Sequence, residues 1–198
     1  MSTPDPLATS SAPPVAPEAV EATVERRRTS LLVDAERPVP DDLVDRLVAA
    51  ATWAPNHKRT WPWRFTVVSG EARGRLGSAM AELGEAEGLP EPKVAKLRTK
   101  YRRSPTLLLV WQALDEEPVR RREDRDAVAA AVQNALLVAT AHGLSSYWGT
   151  VPDVLVPAVR GVAGVDERHD LVALVYLGWP TASVPAPVRP APEVTRLS

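Results

Sequence analysis

The chain has 198 residues, of which 44% are hydrophobic and 25% charged, a balance typical of a soluble globular protein with one sizeable core. Its 24 Lys and Arg nearly offset its 25 Asp and Glu to give a net charge of −1, so nothing favours nucleic acid as a partner, and the absence of cysteine excludes disulfides, thiolate nucleophiles and cysteine-bound metals. No apolar run approaches the ~18–20 residues of a membrane span and no signal peptide is recognisable, so we expect a cytoplasmic protein that does not bind membranes.

The N-terminus is predicted to be a tail. Residues 1–22 are mainly Pro, Ala, Ser and Thr with hardly a large apolar side chain, and such a segment buries too little surface to offset the entropy lost on ordering. We expect residues 1–22 to be disordered and a single domain to occupy residues 23–198. Its first element is predicted to be a short helix that begins near Val24.

A helix, a polar loop and a strand are predicted next. Asp41 is expected to cap a helix that runs to Ala54, because apolar residues recur there at helical spacing and Pro55 follows. The proline-bounded segment 56–62 is predicted to be a loop. Residues 64–68 alternate and are rich in β-branched side chains, which predicts a strand.

The rest of the chain is predicted to contain two strands around a long helix. Residues 71–103 look helical, with breaks at glycine and proline, and the apolar runs 106–111 and 171–177 are typical of strands covered on both faces. Residues 126–142 predict a helix that ends at Gly143 and is apolar on nearly every side. We expect it to be buried by the sheet and by a second subunit. The order of elements indicates an α+β fold with the sheet between helices.

Sequence signatures of the common catalytic chemistries are missing. There is no nucleophile elbow, P-loop or dinucleotide-binding glycine motif. The histidines His57, His142 and His169 are too far apart in sequence to suggest a metal site. His142 is expected to interact with a helix dipole and His169 to be solvated. If the protein is an enzyme, a bound cofactor is expected to carry the chemistry.

Two segments have the residue types that hold a cofactor. Residues 26–30 place three arginines beside two hydroxyls, a set that binds phosphate through charge-assisted hydrogen bonds, although a solvated basic patch would read the same. Residues 147–150 offer aromatic rings, a glycine and a hydroxyl in a predicted turn, which suits either a planar ring system or a core anchor. The other basic clusters, 98–103 and 120–122, are interpreted as solvated faces.

Four segments in the same order resemble the nitroreductase family, and in particular its small YdjA-like branch. Residues 27–29 (Arg-Arg-Thr) resemble the family's N-terminal Arg-Arg-Ser, and residues 54–65 resemble its signature in which Ala-Pro opens a polar loop and Pro-Trp-x-Phe enters a strand. Residues 133–148 resemble its central helix and the Gly-Leu-x-x-x-Trp that follows. Residues 175–180 resemble its last strand, which ends in Leu-Gly-x-Pro. The resemblance covers about residues 24–195.

The resemblance implies a homodimer with FMN at the subunit interface, a mostly antiparallel sheet sandwiched by helices, and a long buried helix in the interface. It implies ping-pong transfer of hydride from NADH or NADPH through flavin N5 to a nitroaromatic, quinone or similar small acceptor, with no catalytic side chain and no metal. The cofactor-binding residues that it implies are Arg27, Arg28 and Thr29 for the phosphate and ribityl chain, Trp148, Gly149 and Thr150 along the isoalloxazine, and Trp53 and His57 from the partner chain. Candidate contacts for the nicotinamide or the acceptor are Val138, Ala139, Thr140, Ala141, His142, Gly143, Lys58 and Trp61.

The chain departs from the broad family pattern at two positions, where Arg59 replaces Asn and Trp61 replaces Gln. We expect Trp61 to pack under the loop or to narrow the acceptor pocket, and Arg59 or Lys58 to place positive charge near the flavin. The opposing hypothesis is a degenerate site that binds flavin weakly. A non-catalytic flavin-binding dimer, and a flavoenzyme of the same fold with another reaction such as dehydrogenation or dehalogenation, are the alternatives.

Overall fold

Residues 16–197 are described by the computed structural model, and they form six helices and four strands. The helices are α1 (Pro17–Arg26), α2 (Asp41–Ala51), α3 (Ala72–Ala86), α4 (Glu91–Lys100), α5 (Pro118–Ala141) and α6 (Val156–Ala163). The strands are β1 (Trp63–Ser69), β2 (Thr106–Ala113), β3 (Ser145–Gly149) and β4 (His169–Gly178). Short 3₁₀ turns cover His57–Arg59, Tyr101–Arg103 and Asp153–Leu155. None of the helices in residues 16–197 is both long and apolar enough to cross a membrane.

The four strands form one antiparallel sheet in the order β1-β2-β4-β3. Strand β2 is central, with β1 on one side and β4 on the other. Because helices cover both faces of these inner strands, their sequences are continuous apolar runs and do not alternate with polar residues. The predicted α+β fold with a sheet between helices is confirmed.

Two helical layers divide the core into two parts. Helices α2 and α5 pack against Leu108 and Val110 of β2, whereas α3, α4 and α6 pack against Leu107, Leu109 and Trp111. Successive residues of a strand point to opposite faces, so β2 supplies both parts. Helix α5 and helix α4 therefore lie on opposite sides of the sheet.

Helix α5 begins at Pro118 and not at Asp126 as predicted. Glu117 caps it, since its carboxylate accepts hydrogen bonds from the backbone nitrogens of Val119 (2.9 Å) and Arg120 (2.7 Å). Pro118 occupies the first helical position, where a missing N–H is tolerated. The first turns are charged and largely exposed, so a prediction based on apolar content did not detect them.

One stripe of α5 is not covered by the single chain. Ala129, Gln133, Leu137 and Ala141 recur every four residues and are exposed or half-buried, which places them on one face of the helix. The opposite face, with Val128 and its neighbours, is fully buried against the sheet and α2. The expectation that α5 is buried all round is therefore not met within one chain.

Three other boundaries differ from the sequence prediction. Helix α1 begins at Pro17, inside the predicted tail, because proline followed by glutamate and alanine is a favourable helix start; residues 1–15 lie outside the described residues. Helix α2 has Pro40 as its N-cap and ends at Ala51. Residues 147–149, predicted to form a turn, belong to β3 because they pair with residues 174–176 of β4.

Candidate functional site

A cavity of about 190 Å³ beside the end of β3 brings two predicted site residues together with a group of cations. We call it the β3 cleft. Its lining residues are Leu31, Lys96, Lys100, Arg103, Tyr147, Gly149, Thr150 and Tyr176. Gly149 and Thr150 were predicted from the sequence to lie along a planar ring. Lys100 and Arg103 were interpreted from the sequence as part of a solvated face.

The cations of the β3 cleft are placed there by one helix. Lys96 and Lys100 are four residues apart on α4 and so share a face, and Arg103 lies in the 3₁₀ turn that continues α4. Within residues 16–197, no carboxylate lies within salt-bridge distance of any of the three. The same stretch of sequence therefore holds positive charge that the protein itself does not neutralise.

Two other arginines of this stretch are neutralised. Arg98 pairs with Glu85 at 3.4 Å and Arg102 pairs with Glu71 at 3.0 Å. Both pairs are exposed and lie away from the β3 cleft, and exposed pairs of this kind stabilise the fold little. The basic cluster at 98–103 is thus two groups, one paired at the surface and one that lines a cavity.

The electrostatics of the cleft favour an anion. Burial, and then the positive charges of Lys96 and Arg103, hold the pKa of Lys100 below its ordinary value. Like charges that are brought together in a partly desolvated place disfavour the charged form of each. A bound anion would relieve that repulsion, so the cleft is suited to a ligand with negative charge.

Tyrosines form the floor of the cleft. Tyr147 meets Tyr176 edge to face at 5.8 Å between ring centroids, and Tyr176 stacks on Tyr101 at 6.2 Å. Burial and the neighbouring Tyr147 raise the pKa of Tyr176 to about 12, so its hydroxyl stays neutral. A Cβ on Gly149 would meet ring carbons of Tyr147 and Tyr176, each at 3.3 Å. Glycine therefore lets this strand end lie close against the rings.

Trp148 lies on the other face of the sheet. Because β3 alternates, Trp148 points toward the side of α5, where it lines a separate cavity of about 320 Å³ together with Arg125, Gly149 and Thr150. Its side chain is half-exposed. Gly149 and Thr150 therefore line both cavities, whereas Trp148 lines only the one on the side of α5.

The N-terminal arginine segment runs beside β3. Thr29 forms a parallel bridge with Ser146, and the Ser30 nitrogen donates to the Ser146 carbonyl at 3.0 Å. Leu31 then lines the β3 cleft, while Arg28 and Ser30 line a neighbouring cavity of about 260 Å³. We call this second cavity the arginine pocket. The segment therefore separates two cavities and contributes to both.

The arginine pocket also contains part of the predicted nicotinamide set. Thr140 and Gly143, at the end of α5, line it together with Arg26 and Arg28. Ala139 is fully buried in the core between α5 and the sheet. Residues three and four apart share a face of a helix, so Ala139 lies with Ala135 and Leu136 on the buried face of α5, and it does not line the pocket.

Arg28 is partly engaged by the protein. Its Nη1 donates to the carbonyls of Glu25 and Arg27, the latter at 3.0 Å. Its Nε is buried and has no partner among the described residues. An unpartnered guanidinium N–H is costly to bury, so this atom is suited to an oxygen of a bound ligand.

The loop before β1 is held by a buried carboxylate on α5. Asp124 is 2% exposed and accepts hydrogen bonds from the Thr60 hydroxyl and, at 3.3 Å, from Asn56 Nδ2. The side-chain oxygen Oδ1 of Asn56 in turn accepts a hydrogen bond from the Trp61 backbone nitrogen at 2.8 Å. This Asn56–Thr60–Asp124 network fixes the course of the loop.

The same loop has an uncommon backbone. Lys58, Arg59 and Trp61 have φ angles of 62°, 55° and 50°, in the left-handed region that costs a non-glycine residue roughly 1–2 kcal/mol. Such conformations persist where surrounding contacts impose them, often at functional sites. His57 points outward, with Nδ1 2.8 Å from the carboxylate of Glu123.

The loop and the β3 cleft lie at opposite edges of the sheet. The loop leads into β1 and the cleft adjoins β3, which are separated by three strand spacings, or ~14 Å. Trp53 is 86% exposed and Trp61 is 58% exposed. One chain therefore does not bring Trp53, His57, Lys58 or Trp61 to the cleft that contains Gly149 and Thr150.

Comparison with known proteins identifies the family. The sequence model described as "Nitroreductase family" matches residues 24–179. The chain belongs to the nitroreductase family. The predicted resemblance is confirmed. The chain is also 28% identical over 183 residues to "Putative NAD(P)H nitroreductase YdjA" of Escherichia coli (strain K12), which covers 90% of this chain and 98% of the relative.

Solved structures of nitroreductase-like proteins share the fold. The nitroreductase-like family protein from Bacillus cereus has a TM-score of 0.75 at 24% identity, over 87% of this chain and 91% of its own. The FMN-dependent nitroreductase NfnB from Mycobacterium smegmatis, solved in complex with NADPH, has a TM-score of 0.72 at 20% identity, over 91% and 98% of the two chains.

Lys100 and Arg103 line the β3 cleft but were not among the site residues predicted from the sequence. Their sequence signal, a dense basic cluster, was present but was the same for Arg98 and Arg102. What distinguishes Lys100 and Arg103 from Arg98 and Arg102 is the way α4 packs beside β3, which turns only the first two toward the cleft. Tyr176 was also not predicted as a site residue, because it lies within a continuous apolar strand sequence.

Proposed function

We propose that the protein is an FMN-dependent NAD(P)H oxidoreductase that reduces a nitroaromatic, quinone or similar small acceptor by a ping-pong mechanism. The observation that carries the proposal is the set of unpaired cations, Lys100 and Arg103, beside Gly149 and Thr150 in a chain of the nitroreductase family. Bound FMN supplies the chemistry, since it takes a hydride from NAD(P)H and passes the electrons on. NAD(P)H loses two electrons, and a quinone becomes a hydroquinone with its second proton from solvent.

The residues present fit FMN at both ends of the molecule. A phosphate suits the guanidiniums of Arg27 and Arg28 with the hydroxyl of Thr29, including the unpartnered Arg28 Nε. From Thr29, beside Ser146, to Thr150 the strand rises four residues, or ~13 Å. A ribityl chain and ring can bridge that separation.

The chain's own residues orient the ring and place charge beside it. Gly149 allows close approach of the backbone, and Lys100 and Arg103 place positive charge where the ring carbonyls would lie. Positive charge in a partly desolvated cleft stabilises negative charge more than it would in water. In the proposed arrangement no side chain has to act as an acid, base or nucleophile.

The site is completed by a second subunit in our proposal. Trp53, exposed over 86% of its surface, and the uncovered stripe of α5 are apolar surfaces that a homodimer would bury. Trp53 and His57 would then reach the flavin from the partner chain. Sedimentation at micromolar concentration should give about twice the 21.4 kDa chain mass; a folded, flavin-loaded monomer would contradict the shared site.

The function is tested by steady-state oxidation of NADH and NADPH with menadione and with a nitrofuran. The purified protein should be yellow and should release FMN on denaturation. It should oxidise NADH or NADPH only when menadione, the nitrofuran or oxygen is present as the electron acceptor. A bound flavin that neither nucleotide reduces would favour a non-catalytic flavin-binding protein. A colourless protein that does not take up FMN would contradict the proposal altogether.

The phosphate site is tested by replacing Arg27 and Arg28 together with alanine. Each charge-assisted hydrogen bond to the phosphate contributes ~1.5–3 kcal/mol, so FMN affinity should fall at least roughly tenfold. An Arg46→Ala variant removes an exposed cation of α2 that does not line the arginine pocket, and it serves as the control. Equal FMN affinity in the double variant and the wild type would remove the phosphate assignment.

A further inference from the structure

A second cavity opens on the same side of α4 as the β3 cleft. We call it the α4 pocket. It has a volume of about 240 Å³ and is lined by Leu89, Lys93, Lys96, Leu97, Lys100, Pro152 and Leu155. Lys96 and Lys100 also line the β3 cleft, so the two cavities are neighbours along one helix face. Lys93 lines the α4 pocket but not the β3 cleft.

The floor of the α4 pocket is hydrocarbon. Leu97 and Leu155 belong to the buried core, and Leu89 lies half-buried above Gly84, where an added Cβ would meet its Cδ2 at 3.3 Å. None of these side chains can donate or accept a hydrogen bond. The floor therefore suits an aromatic ring or an aliphatic chain, and gives no specificity for polar groups.

The wall of the pocket is cationic and unpaired. Lys93, Lys96 and Lys100 stand at spacings of three and four residues, which puts them on one face of α4. In the part of the chain that the structure describes, none of them forms a salt bridge. Two nearby glutamates, Glu85 and Glu71, pair with arginines, and Asp153 lines two other cavities.

We propose that the α4 pocket binds an anionic acceptor, with its acid group at Lys93 and Lys96 and its hydrocarbon body on the leucine floor. The reducible end of that acceptor lies in the β3 cleft. The inference rests on the proposed function, because it takes the β3 cleft as the place of the flavin. It names the substrate class as an amphipathic acid, such as an aromatic carboxylate or sulfonate, in preference to a neutral quinone.

Direct binding tests the pocket without relying on turnover. Isothermal titration of the purified protein with naphthoate and with neutral naphthalenemethanol, at low and at moderate salt, compares the same ring with and without charge. Naphthoate should bind more tightly, and its advantage should shrink as salt rises. Lys93→Gln should reduce the advantage about three- to fivefold, as expected for one partly exposed charge pair.

Arg98→Gln is the matched control, because it removes one charge from the same helix on the side that is paired with Glu85. It should leave the naphthoate advantage at the wild-type value. Equal affinity for naphthoate and naphthalenemethanol in the wild type would overturn the proposal. An equal loss of the naphthoate advantage in Lys93→Gln and Arg98→Gln would also overturn the proposal. The advantage would then depend only on the net charge of the protein.

Turnover then shows whether the anion is an acceptor. The ratio of kcat/KM for a naphthoquinone sulfonate to that for menadione should fall in Lys93→Gln and stay unchanged in Arg98→Gln. If Lys93→Gln instead slows flavin reduction by NADPH, and not by NADH, the pocket binds the nucleotide phosphate and the acceptor assignment is wrong. A protein that prefers naphthoate but oxidises no NAD(P)H with either quinone would contradict the proposed function and leave the anion pocket standing.

Discussion

The β3 cleft and the loop before β1 place functional side chains by different means. The cleft is built from regular elements, and its cations, Lys96, Lys100 and Arg103, form no salt bridge within residues 16–197. In the loop the polar side chains are largely bonded to one another around Asp124, on a backbone with three left-handed residues. The cleft therefore offers charge to a ligand, whereas the loop offers a fixed shape, and the two should respond differently to substitution.

The largest expected effect is on the loop, through Asp124→Ala. This change removes the acceptor that the half-buried Asn56 amide and Thr60 hydroxyl share, and a hydrogen bond to a carboxylate contributes ~1.5–3 kcal/mol. Urea unfolding should show a lower midpoint at an unchanged slope. Glu123→Ala, one residue away, removes only the exposed partner of His57 and should cost ~0–1 kcal/mol. Equal midpoints for the two variants would mean that Asp124 does not hold the loop.

The cleft should be most sensitive to Gly77→Ala. A Cβ at Gly77 would lie 2.8 Å from the Leu97 carbonyl and 3.0 Å from that of Arg98, so α3 and the backbone of α4 must move apart. Overpacking of this kind costs ~1–3 kcal/mol, more than the ~1 kcal/mol that alanine gains over glycine in a helix. We expect a net loss of stability, and weaker FMN binding because the α4 lysines shift.

Gly161→Ala is the control for that change. Gly161 lies in α6 with nothing within 4 Å of an added Cβ, so the helix propensity alone should raise the free energy of unfolding by up to ~1 kcal/mol. Opposite signs for the two glycines would support the close α3–α4 contact. A stabilising Gly77→Ala would show that α4 is not fixed against α3 as described.

The smallest expected effect concerns acceptor selectivity at Trp61. Its ring is exposed and meets Trp63 edge to face at 5.8 Å. If Trp61 narrows the acceptor pocket across the dimer interface, Trp61→Gln should raise kcat/KM for a bulky nitroaromatic relative to a small quinone, by about tenfold or less for one lost side-chain contact. Trp61→Phe keeps the bulk and should keep the selectivity. Unchanged selectivity in both variants would leave Trp61 as a packing residue.

The loop and the strand residues Gly149 and Thr150 were predictable from the sequence, whereas the cations of the cleft were not, for a physical reason. An irregular loop needs particular residues at fixed positions, so Asn56 and its neighbours leave a motif that can be recognised. A cation on a helix surface needs no special local sequence, and Lys100 in the cleft has the same local signal as Arg102 at the surface. Which of them faces a cavity depends on how α4 packs over Gly77, and that is tertiary information.

The helices and strands also divide into those that the sequence predicted and those that it did not. Strands β2 and β4 were predicted because burial on both faces leaves a continuous apolar run. The start of α5 was missed because Glu117 and Pro118 form it through backbone capping with no apolar signal. Residues 147–149 were predicted as a turn because a five-residue edge strand is too short to show a period.

The central claim, that the unpaired cations of the β3 cleft hold the flavin, is tested most directly by FMN affinity. Fluorescence titration of the apoprotein with FMN compares the wild type with Lys100→Met and Arg98→Met, which remove one charge each from the same helix. If Lys100 faces the ring, Lys100→Met should weaken FMN binding roughly tenfold or more, as for loss of a charged hydrogen bond, and Arg98→Met should bind as the wild type does. Equal affinities in all three proteins would contradict the placement of the flavin in this cleft.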